Sequence, residues 1–63
     1  METNLLVQYL LSTGLNHFDE FTVSGIQVFS DHVHYVEHSK GEKWVGVVPL
    51  WRVMSWMFEQ GSK

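Results

Sequence analysis

The stretch 49-PLWRVMSWMFEQG-61 decides between two folds. Read as a helix, it places Leu50, Val53, Met54, Met57 and Phe58 on one apolar stripe at i, i+3, i+4 spacing. Pro49 then suits the first helical turn and Gly61 the stop. Read with a tight turn at 50–52, residues 53-VMSWMF-58 become a fourth strand that closes a small barrel behind an N-terminal helix. So short a run satisfies both periods in part, and the closer fit of the stripe favours the helix.

Upstream of this stretch the period is two. The run 21-FTVSGIQVF-29 reads as a strand with a bulge or bend at Gly25. Ser30 and Asp31 form a turn, and His32 to His38 a second strand. After the turn 39-SKGE-42, the run 43-KWVGVV-48 is a third strand ended by Pro49. Hairpin pairing across these turns sets Val28 against Val33, Ile26 against Tyr35, and Tyr35 against Gly46. Gly46 leaves room there for the Tyr35 ring. One face then carries Ile26, Val28, Val33, Tyr35, Trp44 and Val48. The other carries Val23, Gln27, Phe29, His32, His34, Val36, His38, Val45 and Val47, apolar in patches with histidines between.

The N-terminal run 3-TNLLVQYLLSTG-14 returns to a helical period. Leu5, Leu6, Tyr9, Leu10 and Thr13 form its stripe, with Thr3 as N-cap and Gly14 beyond the C-terminus, giving a helix from about Asn4 to Ser12. The expected fold is α+β, a single small domain over 1–63: N-terminal helix, three-stranded antiparallel β-meander, C-terminal helix.

At 63 residues and 7.4 kDa, such a chain buries about 60% of its unfolded surface, and its core supplies about 3–5 kcal/mol. With no cysteine, neither disulfides nor thiolate metal sites reinforce it. The absence of cysteine suits a reducing cytoplasm. Two short helices cover one face of the sheet, so the half-apolar second face calls for a partner copy, and a homo-oligomer is expected.

Hydrophobic residues make up 44% and charged residues 17%, too apolar for a disordered chain. Lys40, Lys43, Arg52 and Lys63 do not cluster and the formal charge is −3, which argues against tracking nucleic-acid phosphates. The N-terminus has Glu2 where a secretory leader needs basic residues, and no run approaches the ~20 apolar residues of a membrane span.

The cluster 31-DHVHYVEH-38 invites a metal reading. His32, His34 and His38 share one strand face, while Tyr35 and Glu37 point the other way. His32 and His34 are a candidate metal pair, but His38 is too far along the strand to join them, and a structural zinc takes four ligands. A histidine-lined ligand pocket and a plain half-exposed strand are the other readings. No catalytic fingerprint is present: no G-x-S-x-G, H-E-x-x-H, P-loop or dinucleotide motif. Ser30-Asp31-His32 has the residue types of a triad, but triad members converge from separate elements. The expectation is a non-enzyme without a cofactor.

The tryptophans point further. Trp44 reads as core. Trp51 and Trp56 flank the C-terminal stripe beside Arg52, and Trp and Arg most often anchor interfaces. Trp51, Arg52, Trp56 and Phe58 are therefore the expected contact with another protein. The compact, acidic chain would suit an inhibitor of the phage or mobile-element type. The runner-up is an oligomeric small-molecule binder with a pocket of histidine, Trp and Arg52; a histidine metal-binding module comes third.

Overall fold

A computed structural model describes residues 3–61. Glu2, on which the leader reading rests, and Lys63, one of the four bases, lie outside the described residues. The elements are α1 (Thr3–Thr13), β1 (Thr22–Val28), β2 (His32–Ser39), β3 (Glu42–Pro49) and α2 (Leu50–Gly61). The three strands form an antiparallel sheet in the order β1-β2-β3. The expected α+β order is the observed one. Residues 53–58 are helical, and among the described residues no fourth strand closes a barrel.

Both expected turns keep their register. Val28 pairs with Val33, and Tyr35 with Gly46. The second turn is tighter than the four residues expected, because Ser39 pairs with Glu42. Lys40 and Gly41 alone make it, both at positive φ (51° and 83°), the conformation of a two-residue hairpin that twists with its strands. Pro49 closes β3 rather than opening α2. The Leu50 N–H donates to the Asp31 carbonyl at 3.0 Å, tying the start of the helix to the first turn.

β1 carries the bulge. Its register shifts between Ser24 and Gln27, so Gly25 and Ile26 together face Tyr35. Gly25 has φ 62°, where a side chain would be strained. The extra residue turns the face over. Val23, expected on the mixed face, is consequently buried opposite Glu37 on the helix side.

Both helices lie on that side, α1 over β1 and against α2, α2 over β2 and β3. The core is Leu6, Tyr9, Leu10, Val23, Val33, Tyr35, Val48 and Val53, with Leu50, Trp56 and Met57 packed against it. The expected stripe of α2 is thus rotated. Val53 and Met57 face in, while Met54 and Phe58 face out, because the Trp56 ring takes the inner position edge-on to Tyr9, centroids 5.8 Å apart.

Tyr9 is fully buried, and its hydroxyl has no hydrogen-bond partner among the described residues. A buried unpaired hydroxyl costs about 1–3 kcal/mol. Tyr9→Phe should therefore stabilise the fold by about 1 kcal/mol, read as a higher denaturation midpoint at an unchanged slope. A lower midpoint would show that the hydroxyl is satisfied.

Candidate functional site

The aromatic residues of α2 divide between two faces. Inward, Trp56 is half-buried on Tyr9. That corrects its assignment to a contact surface: its ring is committed to the core. Outward, Trp51 is 68% exposed and Phe58 79%, with Met54 between them also exposed. The spacing i, i+3, i+7 puts these three on one side of the helix. Arg52 is exposed beside them. At the helix N-terminus, Ser30, Asp31, Leu50, Trp51 and Met54 line an open cleft of about 360 Å³. Trp51, Arg52 and Phe58 thus form one surface, which gains Met54 and loses Trp56.

Local chemistry fixes this arrangement. Pro49 ends the ladder, and the turn carbonyl of Asp31 receives the Leu50 amide. The inward anchors Val53, Trp56 and Met57 then set the rotation of the helix. The outer residues are what remains, and they are aromatic where a solvated face is ordinarily charged.

The histidines are on the opposite side of the sheet, away from the helices. The Phe29 ring stacks on His32 at 4.6 Å and meets His34 edge-on at 5.1 Å; the two imidazoles are 4.9 Å apart. His32 Nδ1 meets Asp31 Oδ1 at 2.5 Å. His38 is apart from them and pairs with the Ser24 hydroxyl. Among the described residues no three His, Asp or Glu side chains converge to hold a metal ion, fewer than a structural zinc needs. Neither of the two clefts brings histidine, Trp and Arg52 together. His38 lines a second opening of about 380 Å³ with Glu20, Phe21 and Lys40, away from Trp51.

The hydrogen bond and positive charge of His32 hold the Asp31 carboxyl below its ordinary 3.8. A carboxyl depressed by folding adds stability above the ordinary carboxylate range and loses it as pH falls through the folded value. His32→Ala should return the Asp31 carboxyl toward 3.8, followed by its side-chain carboxyl carbon shift in an NMR titration. An unmoved titration would mean that the pair does not form in solution.

A buried carboxyl group escaped the sequence reading. Glu37 is fully buried, and both its oxygens accept from the His17 N–H, at 3.1 and 3.2 Å. This pins the connector 14–21 to the sheet. The His17 ring then stacks on Trp44, centroids 3.9 Å apart and planes within 9°. Trp44, expected in the core, is 48% exposed. It lies at the far end of β3, opposite Glu37, where His17 is its cover. The available signal was the alternation that put Glu37 on the Tyr35 face. Burial and the nearby Glu37 and Tyr9 in turn raise the Tyr35 hydroxyl above its ordinary 10.0.

No helix among the described residues is long and apolar enough to cross a membrane. Comparison of the sequence and fold with known protein families, with curated proteins and with solved structures finds no match.

Proposed function

We propose that the chain is a small non-enzymatic binding module that docks the outer face of α2 onto another protein. The observation that carries this reading is the exposed stripe Trp51, Met54 and Phe58. Contiguous exposed apolar side chains of this size mark interaction sites. Trp51 and Arg52 are of the residue types that dominate interface energetics. A helix presenting anchors at i, i+3 and i+7 matches the mode in which an amphipathic helix enters an apolar groove. Blocking such a groove is how a chain this small would inhibit a larger partner.

The test is a photo-crosslinking amino acid at Ser55, inside the stripe, in cells that naturally express the protein. One specific crosslinked partner is expected. The purified partner should bind Trp51→Ala and Phe58→Ala at least tenfold more weakly each, about 1.4 kcal/mol or more. Both substitutions remove exposed side chains, so the denaturation midpoint should hold. Undiminished affinity in the double variant would refute the assignment.

A further inference from the structure

We infer that β3 is a self-pairing edge, through which two copies of this chain join their sheets antiparallel about a twofold axis at Gly46. Phe29 N–H donates to the His32 carbonyl at 2.8 Å, so His32 bonds toward β1. Bonding alternates along an antiparallel strand. Val33, Tyr35, Glu37 and Ser39 therefore bond toward β3, onto Val48, Gly46, Trp44 and Glu42. The N–H and C=O groups of Lys43, Val45 and Val47 aim the other way, out of the free edge. Pro49 continues that series, and its missing N–H also faces outward, where proline is tolerated.

The two edges of the sheet differ. β1 is broken by its bulge at Gly25 and Ile26, a device that discourages edge pairing. β3 runs eight residues without a register shift. Between Lys43 and Pro49, the stretch 44–48 is a regular edge and a template for another strand.

The side chains say which strand. The sequence 44-WVGVV-48 is symmetric about Gly46: Val45 mirrors Val47, and apolar Trp44 mirrors apolar Val48. Antiparallel pairing about Gly46 sets Val45 against Val47 of the second copy, both with outward-aimed backbone groups, so hydrogen bonds form in both directions. Trp44 then faces Val48 of the second copy on the helix side. Val45 is 64% exposed, Val47 60% and Trp44 48%. Val45 and Val47 would each gain an apolar cross-strand neighbour, the unit that stabilises a sheet. No like charges meet within 44–48, because this stretch has no charged residue. The contact is separate from the outer face of α2, so a pair of copies would still present two helical stripes.

The experiment is native mass spectrometry with sedimentation velocity on the whole chain and three variants. The wild type should show twice its 7.4 kDa mass. Val47→Lys places two cations in the new ladder. A synthetic chain N-methylated at Val47 loses only the outward N–H. Both should have the mass of one chain while keeping the amide spectrum of the folded protein. Trp51→Ala/Phe58→Ala should remain a dimer. A wild type of single-chain mass up to millimolar concentration would overturn the inference. So would a dimer that survives both Val47 changes, or one lost only in the helix variant.

Discussion

Gly46→Ala should lower stability by about 3 kcal/mol, the upper range for overpacking a core. A Cβ at Gly46 would collide with Cζ and the hydroxyl oxygen of Tyr35 and come within 2.8 Å of its Cε2. The ring has nowhere to go. Tyr35 is buried among the core residues, so its ring moves only by displacing them. A core of this size supplies only about 3–5 kcal/mol, so much of the variant should be unfolded without denaturant. Urea denaturation measures the loss. The double variant Gly46→Ala/Tyr35→Leu separates collision from other causes: removing the ring relieves the methyl group, so the double loss should be smaller than the sum. An unchanged midpoint in Gly46→Ala alone would show that the Tyr35 ring does not lie over this glycine.

Glu37→Ala should cost about 3 kcal/mol, combining the lost hydrogen bond to the His17 N–H with a cavity. The carboxyl group is fully buried, and the His17 N–H it receives is the anchor of the connector. Burying a carboxyl group is itself unfavourable, so the loss measures the unmet partner and lost volume rather than a charge interaction. Glu37→Gln keeps one acceptor and nearly the same volume, and should cost about 1 kcal/mol. Hydrogen exchange at the His17 amide gives the local readout, fast in the alanine variant and still protected in the glutamine variant. The His17–Trp44 stack should loosen with it, visible as a change in tryptophan fluorescence. An alanine variant with wild-type stability and a protected His17 amide would remove Glu37 from this role.

The strands were legible because hairpin geometry is local. The turn at Lys40-Gly41 and the alternation of apolar residues fix the Tyr35–Gly46 pairing, and a slip of one residue would invert every side chain. The first helix was legible for a similar reason: its stripe puts Leu6, Tyr9 and Leu10 into the core. The candidate site was legible in part. Trp51, Arg52 and Phe58 share the outer face of α2, whereas Trp56 and Trp44 exchanged their expected places.

Those exchanges show where local pattern ends. Leu50, Val53, Met54, Met57 and Phe58 define an apolar side of α2, but Trp51 and Trp56 extend it on both flanks. Which side faces the sheet then depends on the best fit to Tyr9, a residue 47 positions away. Burial of Val23 depends on one extra residue at Gly25, and burial of Glu37 on an amide from a connector that the strand pattern does not include. Sequence alone determined the first helix, the three strands, the pairing next to their turns and the close approach of Tyr35 to Gly46, because each follows from spacing along the chain. Only tertiary structure decided which aromatic rings fill the core and which remain outside, because that choice rests on the volume left between elements that meet late in sequence and early in space.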